Sequence, residues 1–349
     1  MTAPWTYPDF DDHEGVHLFR DAASGLTAVI AIHSTALGPA AGGTRFWHYP
    51  DSADAITDAL RLSRGMSFKN AMAGLPMGGG KGVVLADAAR TKTPAMLAAF
   101  GRAIDMLGGR YVTAEDVGMS DADMVAIARE TRHVSGLPVA AGSAGGDPGP
   151  TTAYGVYLGV KVAIHRALGK DSARGVHVAI QGVGSVGGGL ARLLAADGAR
   201  LTIADADEAR AARLAAELGA AHVAASAILS IEADVVSPCA LGAILTAESI
   251  AALRTPIVAG GANNQLATRA DADRLHARGI LYAPDYVINA GGIINVALEY
   301  LGHGDRAEVE ARVARIPERL EQVWSESAAT GEPSATVADR IAMRLIGRG

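Results

Sequence analysis

The sequence feature that most restricts the fold is a glycine-rich turn between two apolar segments at residues 176–205, VHVAIQGVGSVGGGLARLLAADGARLTIAD. An apolar strand leads into Gly182, Gly184 and Gly187, and a helix and a second strand ending at Asp205 follow. In this arrangement the first glycine permits a tight turn, the second admits a pyrophosphate, and the third lets the helix pack on the strand. The segment therefore predicts a strand–helix–strand unit that binds a dinucleotide.

The turn also predicts which dinucleotide is bound. The first backbone N–H groups of a helix have no partner inside the helix and attract phosphate. Asp205 lies near the expected distance of about 20 residues past the first glycine, where a carboxylate bonds the ribose hydroxyls of NAD and repels the extra phosphate of NADP. A neighbouring cation would change that preference, and a glycine-rich helix start that only packs tightly is the alternative. We expect NAD, held by Gly182, Val183, Gly184, Ser185, Val186, Gly187, Gly188 and Asp205.

Strand and helix patterns alternate along the chain, which predicts an α/β protein whose second part is a doubly wound parallel sheet. In the first part they predict two strands within 17–34, strands over 81–87 and 110–116, and helices over 51–72, 93–107 and 121–131. Residues 140–150, AAGSAGGDPGP, contain seven Gly, Pro or Ser residues in eleven, a composition typical of a linker. We expect two domains, 1–145 and 146–324, with a C-terminal helix over 325–349 that packs back on the first.

Charge and cysteine content exclude several classes of partner. The formal net charge of −6 gives no sign of the basic surface that nucleic-acid-binding proteins present. No uncharged apolar run reaches about 18 residues, so we expect no membrane span, and the polar N-terminus does not resemble a signal peptide. The single cysteine, Cys239, excludes an internal disulfide. We expect a cytoplasmic protein with no nucleic-acid partner, no membrane partner and no metal.

A second glycine-rich stretch, AGLPMGGGKGVVLAD at residues 73–87, runs directly into Lys81. It is not a P-loop, because Leu75 stands where that motif needs its first glycine, Gly82 follows the lysine where a hydroxyl is needed, and the stretch leads into a strand. We interpret the glycines at 78–80 as clearance, which lets a small ligand lie beside the strand with Lys81 aimed at it.

Three charged side chains are candidates for chemistry at this stretch. Lys69 ends the predicted helix before the glycines, Lys81 follows them, and Asp116 comes directly after Glu115 at the end of a strand, where ligands bind in open α/β sheets. One cation can anchor a substrate carboxylate, and a lysine with a lowered pKa can act as a base. Two lysines and a carboxylate facing a nicotinamide suit amino-acid oxidation. The alternative is that all three are ordinary solvated charges.

Seven motifs occur in the order seen in the amino-acid dehydrogenase family, and the chain resembles that family over about residues 15 to 300. The closest branch is that of the leucine, phenylalanine and valine dehydrogenases. The motifs are GPAAGGTRFW, GMSFKNAMAGLPMGGGKGVV, TAEDVGMS, QGVGSVGG, SPCALGAI, AGGANNQL and YAPDYVINAGGIINV.

The resemblance implies a reaction and an organisation. The reaction is the reversible oxidative deamination of an L-amino acid to a 2-oxo acid and ammonia with NAD. Residues 1–145 would form a substrate-binding and oligomerisation domain, and 146–324 a Rossmann-type NAD-binding domain, with a cleft between them that closes about 140–150. The resemblance further implies a homo-oligomer of unspecified size.

The resemblance also implies roles for individual residues. Lys69 would pair with the substrate carboxylate, Lys81 would activate water, and Asp116 would move protons to and from the amine. Gly42 and Gly43 would line the substrate, and Asn263 would touch the substrate carboxylate or the nicotinamide. The cofactor would also be contacted by Thr152, Cys239 and Ala240.

The side-chain pocket implied by the family is formed by Ala41, Met66, Ala114, Ile293 and Val296. Ala41 stands where glutamate dehydrogenases carry a lysine, so a glutamate carboxylate would be left unpaired at a cost of several kcal/mol. We expect a hydrophobic substrate and favour branched-chain amino acids, with phenylalanine left open. A non-catalytic NAD-binding protein and a hydroxy-acid dehydrogenase are the remaining alternatives. The first does not need the three charged residues together, and the second lacks an evident His–carboxylate pair.

Overall fold

The computed structural model describes residues 3–138, 143–302 and 304–349. The chain divides into two compact units. Unit 1 contains Met1–Asp147, Ile293–Val309 and Ala342–Gly349, and unit 2 contains Pro148–Gly292 and Glu310–Ile341. The domain boundaries expected at 145 and 324 stay predictions. Part of the linker expected over 140–150 lies outside the described residues, and its end at Gly149 already belongs to a helix.

Unit 1 is built on a mixed six-stranded sheet. Its strands are β1 (Gly15–Asp21), β2 (Leu26–Ser34), β3 (Ala40–Ala41), β4 (Thr44–Trp47), β5 (Gly78–Leu85) and β6 (Tyr111–Val112). Its helices are α1 (Ser52–Met72), α2 (Pro94–Asp105) and α3 (Asp121–Ala128). The strand order is β1-β2-β5-β3-β6, and β4 also pairs with β5. Strand β2 runs antiparallel to both of its neighbours, β1 and β5, whereas β3 and β4 run parallel to β5.

Side-chain caps begin the helices α1 and α2 of unit 1. The Asp51 carboxylate accepts a hydrogen bond from the backbone N–H of Ala53. Thr93, which directly precedes Pro94, accepts one through its hydroxyl from the backbone N–H of Met96. Two glycines with positive φ, Gly108 and Gly109, follow α2. The two strands within 17–34 and all three helices are confirmed, while the strand predicted over 110–116 shortens to the two residues of β6.

Both faces of the unit 1 sheet are covered, so the central strand β5 is almost wholly buried. One face packs on α1 through Ala55, Ala59 and Leu60, which meet Val83 of β5. The opposite face packs under Phe100 of α2 together with aliphatic residues of β2 and α3. Side chains alternate between the faces of a strand, so residues 79, 81 and 83 face α1 and residues 80, 82 and 84 face α2.

The glycines at 78–80 lie inside β5, and protein atoms fill the space that we interpreted as clearance for a ligand. A Cβ atom at Gly79 would overlap the backbone nitrogen of Ser67 on α1, and one at Gly80 would lie 2.7 Å from the Tyr111 ring. A Cβ atom at Gly78 would overlap the carbonyl oxygen of Ser34. The clearance interpretation is therefore wrong, because these glycines let α1 and the neighbouring strands approach β5 closely.

Unit 2 is a parallel sheet with the doubly wound strand order. Its strands are β7 (His177–Gln181), β8 (Arg200–Ala204), β9 (Ala221–His222), β10 (Val235–Pro238), β11 (Ile257–Val258) and β12 (Leu281–Tyr282). The order β9-β8-β7-β10-β11-β12 reverses direction between β7 and β10, and every pair is parallel. That reversal is the place where dinucleotides bind in Rossmann sheets. The prediction of a doubly wound parallel sheet is confirmed.

The remaining helices surround this sheet or follow it in the chain. They are α4 (Gly149–Leu168), α5 (Ser185–Ala196), α6 (Glu208–Leu218), α7 (Ala247–Ala252), α8 (Ala270–Ala277), α9 (Asp285–Ile288), α10 (Gly291–Tyr300), α11 (Arg306–Val313), α12 (Ile316–Thr330) and α13 (Ser334–Leu345). Gly331, with φ of 73°, ends α12, so residues 325–349 form the end of α12 and a separate α13 rather than one helix. Within the described ranges, no helix combines the length and the apolar character needed to cross a membrane.

The last residues of the chain are fastened within unit 1 by Arg348. Its guanidinium donates hydrogen bonds to the carbonyl oxygens of Asp11, Asp12 and His33, and to Nε2 of His33 at 2.9 Å. The His33 ring also makes a hydrogen bond through Nδ1 with the Ser67 hydroxyl at 2.7 Å, and its Nε2 lies 3.3 Å from Oδ2 of Asp11. Burial, with the Arg348 charge, lowers the pKa of His33 to about 3. The neutral ring therefore stabilises the fold above pH 6.5, and this stabilisation is lost as the pH falls toward 3.

Replacing Arg348 by Ala is expected to lower the free energy of unfolding at pH 7 by about 1–3 kcal/mol, because charged hydrogen bonds to three backbone carbonyls are lost. Lysine at this position should restore only part of the loss, since one ammonium cannot reach all the acceptors. The measurement is urea denaturation followed by circular dichroism. Arg129→Ala, which removes an exposed arginine, is the control. Equal effects of the Arg348 and Arg129 replacements would contradict the fastening role.

Gly79→Ala is expected to destabilise unit 1 by several kcal/mol, because its methyl group would overlap the backbone of α1 rather than a movable side chain. Gly65, within α1 itself, provides the matched control, since a Cβ atom there meets no neighbour within 4 Å. Gly65→Ala should raise stability by about 0.5–1 kcal/mol through helix propensity. Thermal melting of both variants checks the pair. A Gly79→Ala protein with the same melting temperature as the wild type would overturn the close-packing explanation.

Candidate functional site

An ion pair in unit 1 joins the buried ammonium of Lys81 to the half-buried carboxylate of Asp116. The Lys81 ammonium donates to Oδ2 of Asp116 at 2.7 Å, and Lys81 is only 5% exposed. Lys81 lies in the middle of β5 on the face covered by α1. Asp116 follows Glu115, which forms an isolated parallel bridge with Thr44 at the start of β4. The sheet therefore brings together the two residues that the sequence predicted to be catalytic.

Burial decides the protonation properties of this pair. Removal from water lowers the pKa of the Lys81 ammonium, and the negative charge of Asp116 only partly opposes that shift. Burial also raises the pKa of Asp116, but Lys81 and Arg45 outweigh it and hold that pKa below its ordinary value. The pair is therefore ionised, and Lys81 gives up its proton at a lower pH than an exposed lysine does.

Two glycines let the chain close tightly around the pair. A Cβ atom at Gly42 would overlap the carbonyl oxygen of Gly80 and lie 3.0 Å from Cγ of Met66. A Cβ atom at Gly43 would overlap the carbonyl oxygen of Glu115 and lie 3.1 Å from Cβ of Asp116. The structure therefore brings Gly42, Gly43 and Met66 to the strand that carries Lys81 and to Asp116.

Five other predicted substrate residues lie in unit 1, some buried and some half-buried. Lys69 is half-buried in the last turn of α1, two residues beyond Ser67, whose backbone lies against Gly79. Ala41 is buried in β3, and its carbonyl oxygen accepts from the Asn70 amide at 3.4 Å. Val296 is buried and Ile293 half-buried in α10. Ala114 is half-buried, and its carbonyl oxygen accepts from the N–H of Thr44 at 2.9 Å.

Three polar residues at this site were missed by the sequence interpretation. Nε of Arg45 donates to Oδ2 of Asp116 at 3.1 Å, and Nη1 of Arg45 donates to Oδ2 of Asp58 at 2.8 Å. The Tyr49 hydroxyl donates to the same Asp58 oxygen at 2.8 Å. The available signal was the position of Arg45 directly after Gly42, Gly43 and Thr44 in the motif AGGTRFW.

The glycine turn of unit 2 has the geometry that phosphate binding needs. Gly182 has φ of 86°, and a Cβ atom at Gly187 would overlap the carbonyl oxygen of Gly182. At Gly184, the residue before α5, a Cβ atom would meet no atom within 4 Å. Gly182 and Gly187 therefore serve the turn and the helix packing, whereas Gly184 borders open space at the positive end of α5. That space suits a pyrophosphate.

Asp205 is fixed beside the glycine turn by backbone donors. Its carboxylate accepts from the N–H of Val183 at 2.8 Å and from the N–H of Asp207 at 2.8 Å. The neighbouring cation is Arg210, whose Nη1 lies 3.6 Å from Oδ2 of Asp205 and which also pairs with Asp207. The carboxylate is therefore held directly after β8 and beside the glycine turn, and Arg210 offsets part of its negative charge.

Cys239 and Ala240 lie against the same turn. The N–H of Cys239 donates to the carbonyl oxygen of Gln181 at 2.7 Å, and a Cβ atom at Gly182 would lie 2.6 Å from Cβ of Ala240. Burial raises the pKa of the Cys239 thiol, so its thiolate is disfavoured and a nucleophilic role is not supported.

Two further predicted cofactor residues are held by local hydrogen bonds in unit 2. Thr152 lies in the first turn of α4, where its hydroxyl donates to the carbonyl oxygen of Pro148 at 2.8 Å. The side-chain amide of Asn289 donates to Oδ1 of Asn263 at 2.8 Å and to the carbonyl oxygen of Gly261 at 3.2 Å. The sequence motifs did not point to Asn289, although it belongs to the stretch INAGG, and its hydrogen bond orients the amide of Asn263.

Comparison with known proteins gives consistent matches over most of the chain. Residues 13–133 match the model of the Glu/Leu/Phe/Val dehydrogenase dimerisation domain, and residues 203–346 match that of Glutamate/Leucine/Phenylalanine/Valine dehydrogenase. A leucine dehydrogenase of Geobacillus stearothermophilus is 47% identical over 340 residues, covering 97% of this chain and 92% of that enzyme. A valine dehydrogenase of Streptomyces albus is 45% identical over 339 residues, covering 96% and 93%.

A similar solved structure is that of the L-tryptophan dehydrogenase of Nostoc punctiforme. It superposes with a TM-score of 0.85 at 39% identity and covers 96% of each chain.

Gly184→Ala is expected to lower NADH affinity at least about tenfold, which corresponds to about 1.4 kcal/mol, while the protein stays folded. The added methyl group meets no protein atom and enters the space at the start of α5. Fluorescence titration with NADH measures the affinity, and thermal melting measures the stability. Gly187→Ala is the matched control, because its methyl group overlaps the turn and should lower stability instead. Unchanged NADH affinity in Gly184→Ala would show that phosphates do not occupy this space.

Proposed function

Because this chain belongs to the Glu/Leu/Phe/Val dehydrogenase family, we propose that it catalyses the reversible, NAD-dependent oxidative deamination of a branched-chain L-amino acid to its 2-oxo acid and ammonia. Family membership makes the chain an amino-acid dehydrogenase that uses a nicotinamide cofactor, and the resemblance inferred from the motifs is confirmed. The observation that carries the proposal is the Lys81–Asp116 pair. A buried ammonium paired with a half-buried carboxylate is suited to moving protons on a substrate amine.

The residues of the pair take complementary roles in the proposed reaction. A nicotinamide cofactor held at the glycine turn of unit 2 would supply the acceptor for the hydride on the substrate α-carbon. Neutral Lys81, which forms at a lower pH than the neutral form of an exposed lysine, then takes a proton from the water that attacks this carbon. Asp116, held 2.7 Å from the lysine nitrogen, passes protons to and from the leaving amine. Lys69 pairs with the substrate carboxylate, and Gly42 and Gly43 supply backbone against which the substrate lies.

Apolar residues support a branched-chain side chain on the substrate. Ala41 and Val296 are buried and carry no group that could pair with a second carboxylate, so glutamate would lose several kcal/mol of binding. The similarity to proteins named leucine dehydrogenase and valine dehydrogenase supports an aliphatic substrate for this chain. Phenylalanine is the second candidate, since Ala41 leaves room for a ring and apolar pockets separate such substrates by only about 1–3 kcal/mol.

The preference for NAD over NADP is proposed from Asp205. A carboxylate fixed by two backbone donors cannot turn away from a 2′-phosphate and would repel it. Arg210 does not reverse this preference, because its charge is shared with Asp207. We also propose a cytoplasmic homo-oligomer, which the family description of the first matched segment as a dimerisation domain supports.

The proposed reaction predicts NADH formation with L-leucine, L-valine and L-isoleucine, less with L-phenylalanine, and none above background with L-glutamate or with NADP. Reduction of 2-oxo acids should require ammonium. Oxidative activity should rise with pH as Lys81 loses its proton, at a pH below that of an ordinary lysine. The measurement is absorbance of NADH across this panel. Equal reduction of 2-oxo acids without ammonium would exclude deamination.

Lys81→Ala tests the assigned base directly. This variant should lose a factor of about 100 or more in kcat and still bind NADH, because Lys81 lies in unit 1 and not at the glycine turn. Lys170→Ala, which removes an exposed lysine, is the control and should keep wild-type kcat. Wild-type turnover in Lys81→Ala would remove Lys81 from its role.

A further inference from the structure

We propose that Arg45 is a positioning residue of this enzyme, which holds the Asp116 carboxylate in place throughout the proton cycle from a frame made by Asp58 and Tyr49. The inference rests on the proposed function, since it concerns the proton cycle of Lys81 and Asp116. Neither the family match nor the sequence motifs assign Arg45 a role.

The guanidinium of Arg45 bridges two carboxylates. Its Nε donates to Oδ2 of Asp116 at 3.1 Å and its Nη1 to Oδ2 of Asp58 at 2.8 Å. The three side chains are between 17% and 24% exposed, so solvent weakens these contacts less than it weakens surface pairs. Because the guanidinium is planar and rigid, fixing one end fixes the other.

The frame that holds Arg45 comes from α1 and from the segment after β4. Asp58 lies in α1, and its Oδ2 also accepts from the Tyr49 hydroxyl at 2.8 Å. Arg45 is paired in register with Val83 of β5, and Lys81 lies two residues earlier on the same face of that strand. The close packing of α1 on β5 therefore sets the position of Arg45 relative to Lys81.

One oxygen of Asp116, Oδ2, accepts from both Lys81 and Arg45. When Lys81 is neutral, the lysine no longer supplies a positive charge to the carboxylate. A buried carboxylate without a counter-charge is costly and tends to take up a proton. Arg45 keeps its proton throughout, and its carboxylate neighbours raise its pKa further although burial opposes them. Asp116 thus keeps a cation and a fixed orientation in both states of Lys81.

Other titratable groups surround the pair, and their positions define what the test must separate. Lys69 lies on α1 and binds the substrate carboxylate in the proposed reaction. Tyr111 lies on the strand before Asp116, and its hydroxyl donates to the carbonyl oxygen of Gly42 at 2.7 Å. Glu115 adjoins Asp116, and burial together with Asp121 raises its pKa to about 7. Variants of Arg45 and Asp58 change none of these three groups.

Arg45 and Asp58 act on Lys81 with opposite signs, which gives the proposal a test. The positive charge of Arg45 lowers the pKa of Lys81 and the negative charge of Asp58 raises it, in addition to the larger effects of burial and Asp116. Arg45→Gln should therefore shift the midpoint of the rise of kcat with pH upward, and Asp58→Asn should shift it downward. A residue with only a structural role would lower kcat at every pH and leave the midpoint unchanged.

The experiment is the pH profile of kcat for oxidation of the preferred amino acid with NAD in the full-length enzyme. Arg45→Gln should lose up to about 100-fold in kcat, because Asp116 is misplaced. Arg45→Lys keeps the positive charge but loses the planar guanidinium that reaches two carboxylates. The midpoint of this variant should therefore match that of the wild type, and its kcat should fall less than that of Arg45→Gln. Arg61→Gln is the matched control, since Arg61 contacts only Oδ1 of Asp58 and its side chain is 60% exposed. Its midpoint should match the wild type.

Each outcome decides between the inference and the function on which it rests. A wild-type enzyme that oxidises no amino acid with NAD would refute the proposed function. If the wild type is active and Arg45→Gln leaves the midpoint of the kcat–pH profile unchanged, the role of Arg45 alone is refuted. The same holds if Arg45→Lys shifts that midpoint as much as Arg45→Gln does. NADH binding and circular dichroism establish that each variant is folded. If Arg45→Gln does not fold, a midpoint unchanged or raised in Asp58→Asn still refutes the proposal.

Discussion

The arrangement of unit 1 depends on the burial of one lysine in the middle of a strand. An ammonium at this depth is tolerated only beside a carboxylate, because removal from water costs several kcal/mol when it is unpaired. Asp116 supplies the carboxylate, and the glycine pair at 42–43 lets the neighbouring chain come close enough to deliver it. The glycine at 79 lets α1 close over the same face. The packing of the sheet and the protonation of the site are therefore consequences of one constraint.

The two glycine-rich stretches of the chain illustrate how similar sequences serve different physical ends. At Gly79 the missing side chain is replaced by protein backbone, and the result is a tightly closed interior. At Gly184 the missing side chain leaves open space in front of a helix start, and the result is room for an anion. Both stretches are rich in glycine. They differ in the element that the glycines belong to or precede, which is strand β5 for Gly79 and helix α5 for Gly184.

Local sequence signals predicted much of the fold. Helix α1 begins after Asp51 and α2 at Pro94, because caps and prolines act within a few residues. The parallel sheet of unit 2 followed from alternating apolar segments. The roles of Gly78, Gly79 and Gly80 were misjudged, because they depend on Ser34, Ser67 and Tyr111, which are distant in sequence.

The candidate site shows the same limit of sequence reasoning. Lys81 and Asp116 were found because they stand in recognisable motifs, and the structure shows that they are paired. Arg45 and Asp58 were missed, because an arginine on β4 and an aspartate on α1 have no local pattern that links them. Asn289 was missed for the same reason, since its partner Asn263 is 26 residues away.

Both units hold a carboxylate in place by means of donors that keep their protons near neutral pH. Asp205 accepts from two backbone N–H groups, which carry no removable charge. Asp116 accepts from Arg45, which keeps its proton, as well as from Lys81, whose pKa is lowered by burial so that it loses its proton more readily. A carboxylate fixed in this way is already oriented before a ligand arrives, so little reorganisation is needed when charge develops beside it. Lys81 can therefore change its protonation state while its partner stays in position, which is the condition a proton cycle requires.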